Sequence, residues 1–322
     1  MSPRALVTGG AGFIGSHVAD ALLDRGFHVV VLDDLSTGRR ENVPSAAEFA
    51  QLDARSAEAA RLVREGGFDV ILHQAAQIDV RRSVFDPVHD ASINILGALN
   101  LLEAVRAVAT SPRFVFASTG GAIYGDFVTP PNAESAPKDP DSPYGIAKLA
   151  VEHYLAYYGR LHGIEGVVLR YANVYGPRQD PHGEAGVVAI FCARLLDGRP
   201  LTVFGDGTQT RDYVHVKDVA AANVAAATVA LPAAGRLDLR AMNIGTGAET
   251  SVITLAETLR RVSGRPGRIE FAPARLGEQL RSAVSVAKAQ HLLGWKPACT
   301  LDGGLKETFD YFAAHTPQSV SA

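Results

Sequence analysis

Short apolar runs alternate with stretches of helical apolar spacing along the first half of the chain. Arg4–Val7, His28–Leu32, Glu48–Leu52, Asp69–His73 and Arg113–Ala117 are rich in β-branched or aliphatic residues and bounded by Gly, Asp or Pro, which predicts strands. Between them, Phe13–Arg25, Ala57–Glu65 and Ala91–Ala109 repeat apolar residues at helix spacing. Such a βαβαβ series predicts an α/β fold, a doubly wound parallel sheet covered by helices, because crossovers between parallel strands are right-handed. A further helix is expected at Tyr144–Leu161, with Ser142 as its cap and Pro143 at its first position, then a strand at Gly166–Tyr171. Beyond Gly176 the texture changes. Pro177, Pro181, Gly183 and Gly186 mark a loop, followed by an apolar helix near Val187–Leu196 and short strands around Leu201–Phe204 and Tyr213–Val216. This predicts a sheet domain over residues 1–172 and a second, smaller α/β lobe over 173–322, with segments near 211–245 packing back onto the first.

Composition narrows the possible partners. With 322 residues, 47% of them apolar, the chain can fill two compact regions. A formal charge of −3 carries no footprint for nucleic acid or an anionic membrane. The two cysteines, Cys192 and Cys299, make neither a disulfide framework nor a metal spacing, which fits a reducing, cytoplasmic setting. The N-terminus reaches strand-like sequence by Arg4, too early for a signal peptide. The longest nearly apolar stretch, Asp218–Ala234, contains Asn223, Thr228 and Pro232 and reads as a buried helix, not a membrane span. No metal is expected, since the ten histidines show no His-x-x-x-His spacing. His215 and Asp218 read as structural residues of a strand-to-helix junction.

Chemistry enters with glycine. Gly9-x-x-Gly12-x-x-Gly15 follows a strand and opens a helix at Phe13 and Ile14, where a close backbone turn and a helix N-terminus suit a pyrophosphate. This predicts a Rossmann-type dinucleotide site. Asp33, at the end of the second strand and 18 residues past Gly15, suits ribose hydroxyls and repels a 2′-phosphate, favouring NAD. Asp34, Ser36, Thr37 and Gly38 extend that turn, and Arg39 and Arg40 are the side chains able to read a 2′-phosphate instead. Asp53 and Ala54, at the end of the third strand, are candidates for the adenine end.

Tyr144-x-x-x-Lys148 places a phenol and an ammonium on one helix face. A phenol that ionises near neutrality needs about 4 kcal/mol of help, and two cations, Lys148 and an oxidised nicotinamide, can supply it. Ser118 and Thr119 follow the fifth strand at its carboxyl end, where ligands of open α/β sheets bind. Together these predict an alcohol oxidation site on a bound dinucleotide.

These segments resemble the extended short-chain dehydrogenase/reductase family, and within it the UDP-glucose 4-epimerases. The resemblance also rests on His73-Gln74-Ala75-Ala76-Gln77, Asn94, Arg170–Arg178, Gly205–Val219, Arg275–Glu278 and Leu293-Gly294-Trp295-Lys296-Pro297, and so spans nearly the whole chain. It implies that Gln74, Ala75, Ala76, Gln77, Asn94 and Tyr171 join the NAD site. A UDP-sugar would lie in the second lobe, its diphosphate held by Asn173, Arg211 and Arg275. Gly186, Val187 and Val188, with the backbone of Thr202, Val203 and Phe204 in the Leu201–Phe204 stretch, would flank the uracil. It further implies a homodimer paired through Ala91–Ala109 and Tyr144–Leu161, although the face around Leu96, Leu99 and Leu102 suits inward packing equally well.

The implied reaction is reversible 4-epimerisation of UDP-glucose and UDP-galactose. The Tyr144 phenolate takes the 4-hydroxyl proton while hydride moves to NAD, Thr119 or Ser118 holds the oxygen, and the 4-keto sugar turns before hydride returns. Two departures qualify the match. Many family members carry a hydroxyl where this chain has Gly120, which moves that role to Thr119, to Ser118 or to a water. Sugar nucleotide 4,6-dehydratases place an acidic pair after the threonine, where this chain has Gly120-Gly121; that disfavours a dehydratase or decarboxylase. A non-catalytic NAD-binding regulator is a further alternative, opposed by the presence of both Tyr144 and Lys148. Ser282, seven residues after Arg275, stands where some members have a bulky tyrosine, and its small side chain implies room for an N-acetyl group.

Overall fold

A computed structural model describes residues 2–126, 128–181, 186–233, 235–274 and 279–315. In the first part of the chain, β1 (Arg4–Thr8), α1 (Phe13–Asp24), β2 (His28–Asp33), β3 (Glu48–Gln51), α2 (Ala57–Glu65) and β4 (Val70–His73) alternate as expected. Next come α3 (Val80–Phe85), α4 (Pro87–Ala91), a π-helical turn at Ser92–Leu96, α5 (Gly97–Arg106), β5 (Arg113–Thr119), α6 (Pro143–His162) and β6 (Gly166–Tyr171). The rest is made of β7 (Asn173–Tyr175), α7 (Val187–Leu196), β8 (Leu201–Phe204), β9 (Thr210–Arg211), β10 (Tyr213–His215), α8 (Val216–Thr228) and β11 (Ala241–Ile244). It closes with β12 (Thr250–Ser251), α9 (Val252–Ser263), β13 (Ile269–Ala272), β14 (Arg281–Ser282), α10 (Ala287–Leu293) and α11 (Leu301–His315).

Seven strands form one parallel sheet in the order β11-β6-β5-β4-β1-β2-β3. Strand alternation explains its two cores. Ala5 and Val7, with Val29 and Val31, enter one cluster beneath α1 and α8; Leu6, Val30 and Leu32 enter the other, beneath α2, α5 and α6. The outermost strand, β11, comes from residues 241–244 and pairs with β6, so the sheet recruits sequence from far beyond residue 172. A third cluster joins α7, α9 and α11 with β8 and contains Phe191, Leu201, Leu255 and Phe309.

The expected helix at Ala91–Ala109 is replaced by three pieces. Asp86 caps α4 by accepting from His89 N, with Pro87 at the first position, so helix starts four residues earlier than expected. The ladder then widens to a π turn around Asn94, whose side chain is bound on both ends to the Gln77 backbone. π turns often mark functional sites.

Candidate active site

The glycine turn is packed too tightly for any side chain. A Cβ on Gly9, whose φ is +68°, would lie 2.6 Å from Ala75 N, and one on Gly15 would lie 2.1 Å from Gly9 O. The turn is thereby pressed against the start of the Ala75–Ala76 segment, and α1 begins at Gly12 with no side-chain cap. Bare amides at a helix start suit an anion. Asp33 is buried and accepts from Ala11 N at 2.9 Å and Leu35 N at 2.8 Å, which orients its carboxylate beside the turn. Burial raises its pKa, partly offset by those amides. Gly38 passes so close that a Cβ would meet Asp33 Oδ1 at 2.6 Å. Asp34 binds Ser36 N and Oγ on the exposed side of the same turn.

The remaining arginines and acids near this turn have other partners. Arg39 lies 3.8 Å from Glu41, and Arg40 stacks over Phe49 at 4.5 Å. Asp53, expected at the adenine end, is chelated by the Arg55 guanidinium at 2.5 Å to 3.0 Å. Gln74 and Tyr171 join Asn223 in a buried hydrogen-bond cluster. Gln77 and Asn94 bind each other and Asp90.

Tyr144 and Lys148 both lie on α6. Ser142 caps it by accepting from Gly145 N at 3.2 Å, and Ser83 Oγ accepts from Tyr144 N at 3.2 Å. Gly145 lies so near the loop after β5 that a Cβ would meet Ala122 O at 2.6 Å. Lys148 is buried, donates to Ala117 O at 2.9 Å, and its Nζ stands 4.9 Å and 5.8 Å from the Phe116 and Tyr144 ring centres. Burial pulls Lys148 down to about 8, against the Asp90 and Glu152 carboxylates, which hold its charge. Burial also pushes the Tyr144 phenol up, and Asp90 adds to that. Burial and the Asp90 charge thus both oppose ionisation of Tyr144.

Strand alternation separates the two hydroxyls. Ser118 points with Phe114 and Phe116 and donates to Glu152 Oε1 at 2.5 Å, inside a buried cluster in which Arg170 pairs with the same carboxylate. Thr119 points the other way. A Cβ on Gly121 would lie 4.0 Å from Thr119 Oγ1 and 3.8 Å from Asn173 Oδ1, so those two groups converge at that glycine. Gly120 N donates to Tyr171 O at 2.7 Å, and a Cβ there would meet Val284 Cγ1 at 2.8 Å.

Over residues 5–245 the chain matches the NAD dependent epimerase/dehydratase family. The chain belongs to that family. It is an NAD-dependent enzyme, an isomerase. It is 46% identical over 314 residues to a UDP-glucose 4-epimerase of Mycolicibacterium smegmatis, covering 96% of this chain and 98% of that one. Its fold superimposes on a UDP-glucose 4-epimerase of Thermotoga maritima crystallised with UDP-glucose, with TM-score 0.90, 44% identity, and 97% and 99% of the two chains covered. A UDP-glucose 4-epimerase of Thermus thermophilus in complex with NAD gives TM-score 0.88 at 45% identity, with 97% and 100% covered.

Within that family frame, the sequence-predicted sugar-side residues divide. Asn173 starts β7, which pairs with β10, and Arg211 on β9 pairs in register with Ser282 on β14. Val188 and Val203 are fully buried in the third core, so their side chains face away from any ligand. Val187 and Gly186 sit at the start of α7, and a Cβ on Gly186 would lie 3.0 Å from Gln179 Nε2. Thr202 Oγ1 accepts from Arg194, and Phe204 O accepts from Gln209 at 2.9 Å. Arg275 lies outside the described residues. Two acids escaped sequence reasoning: Glu152, which continues the Tyr144, Lys148 spacing by another four residues, and Asp90, four residues before Asn94. Helical spacing was the available signal for both.

Proposed function

We propose that the enzyme interconverts UDP-glucose and UDP-galactose by inverting C4. One observation carries the reading: the turn after Thr119 is Gly120-Gly121, with Gly120 pressed against Val284 and the Arg170–Tyr171 backbone. That turn holds a hydroxyl to steady the sugar oxygen and no acid to expel water, so it suits oxidation followed by reduction at one carbon. Gly9, Gly12, Gly15 and Asp33 would hold NAD, which when bound would supply an acceptor for the C4 hydride and the donor that returns it. Tyr144 takes the 4-hydroxyl proton as phenolate and gives it back to the 4-keto sugar. The Lys148 ammonium, 5.8 Å from the Tyr144 ring centre, would favour the phenolate, and the positive charge of an oxidised nicotinamide would add to that. Thr119 donates to the sugar oxygen, and Asn173 and Arg211 hold the diphosphate, about which the keto sugar turns.

Ser282 supports a wider substrate range. It is small, buried and aligned with Arg211 across β14 and β9, which favours acceptance of UDP-N-acetylglucosamine as well. A homodimer is supported by neighbouring exposed apolar residues on α3, α4, the π turn and α6, including Phe85 at 92% exposure, with Val88, Leu96, Ile146 and Leu161. Of the leucines named for that face, Leu96 is exposed, while Leu99 and Leu102 pack inward. Incubation of purified protein with UDP-galactose and no added NAD tests the activity. UDP-glucose supports epimerisation; a 4-keto-6-deoxy product supports dehydration, and no reaction overturns both.

A further inference from the structure

Asp90 is 1% exposed, yet it has no cationic hydrogen-bond partner among the described residues. Its Oδ1 accepts from two neutral amides, Gln77 Nε2 at 2.9 Å and Asn94 Nδ2 at 3.0 Å, while Oδ2 is buried with no hydrogen-bond partner among the described residues. Its helix, α4, packs directly on α6, the helix that carries Tyr144 and Lys148. A buried carboxylate held only by amides is costly unless an opposite charge answers it.

We propose that Asp90 is a positioning residue for the reacting pair: its carboxylate holds Lys148 as the ammonium and so sets the pH window in which Tyr144 works. This rests on the reading of Tyr144 as the base. Glu152, the other acid near Lys148, is already neutralised by Arg170. Asp90 has no such counter-ion among the described residues, and its charge favours the protonated form of Lys148. Among the other groups, Tyr144 and Lys148 of α6 feel its charge, and the π turn Ser92–Leu96 has no titratable side chain. Arg81 and Arg82 of α3 are exposed, His89 of α4 is half-buried, and His73 of β4 is held neutral by burial. Charges interact strongly across such a dry interior.

The sign of the effect is fixed by charge alone. Asp90 raises the proton affinity of both Tyr144 and Lys148, so removing its charge lowers both, and the two titrate as a coupled pair. Activity needs phenolate and ammonium together, which makes a bell-shaped profile. In Asp90→Asn, both limbs of the kcat profile for UDP-galactose should move to lower pH by about one unit. The wild-type holoenzyme and Asp90→Glu should keep the original limbs. Where asparagine does not support folding, Asp90→Ser, also uncharged, gives the same reading in protein shown to retain NAD. Unmoved limbs with uniformly reduced activity would reveal a packing role only and overturn the proposal. A wild-type enzyme that does not turn over UDP-galactose would instead overturn the functional reading beneath it.

Discussion

Ser118 Oγ donates to Glu152 Oε1 at 2.5 Å, in a pocket where both Glu152 and its partner Arg170 are fully buried. On the proposed function, that commitment leaves Thr119, on the opposite face of β5, as the strand-end hydroxyl to hold the sugar oxygen. Thr119→Val should lower kcat about 10- to 100-fold, the worth of a hydrogen bond to developing charge. Ser118→Ala should instead cost about 1–3 kcal/mol of stability by leaving Glu152 under-satisfied, with kcat little changed. Steady-state assays beside urea unfolding separate the two, and the reverse pattern would exchange their roles.

Tyr144→Phe removes the proposed proton acceptor and little else, because the Tyr144 hydrogen bond to Ser83 is made by the backbone. Turnover should fall by about 10²–10⁴-fold, the range for loss of a general acid–base group. Nucleotide sugar should still bind, as read by calorimetry. Near-normal activity would remove Tyr144 from the chemistry.

Gly120 has no room for the hydroxyl residue common at its position. Gly120→Ser forces its Cβ against Val284 Cγ1, 2.8 Å away in a buried cluster, and should destabilise by about 1–3 kcal/mol. Val284→Ala opens that space. The double variant should regain most of the lost stability in thermal melts, and a double variant no better than Gly120→Ser would show that the strain lies in the backbone.

His73 gives a pH signature. Burial between Phe114 and Phe116, with Lys148 near, lowers it to about 3, while its Nδ1 meets Thr8 Oγ1 at 2.7 Å. At neutral pH the ring is neutral in both folded and unfolded chains, so no stability is at stake there. As pH falls below the ordinary histidine range, the unfolded chain takes a proton that the folded chain refuses. Stability then drops by up to about 1.4 kcal/mol per pH unit until about pH 3. Melting temperature should fall less steeply between pH 6 and 4 in His73→Gln than in wild type, and equal slopes would refute the assignment.

The strand and helix alternation, the glycine turn and the Tyr144–Lys148 spacing are legible in the sequence because each depends on geometry within a few residues: pleat, helical turn and a cap. The same locality makes Asp33 readable at its strand end. What only tertiary structure decides is which partner each polar group finds. Ser118 meets Glu152 across 34 positions, Gly120 meets Val284 from a distant strand end, and the amides of Gln77 and Asn94 close on Asp90 through a π turn that apolar periodicity does not encode. Burial is likewise a property of the assembled layers. It turns Lys148 from an ordinary surface cation into an ammonium held near the edge of ionisation, and local spacing carries no information about desolvation.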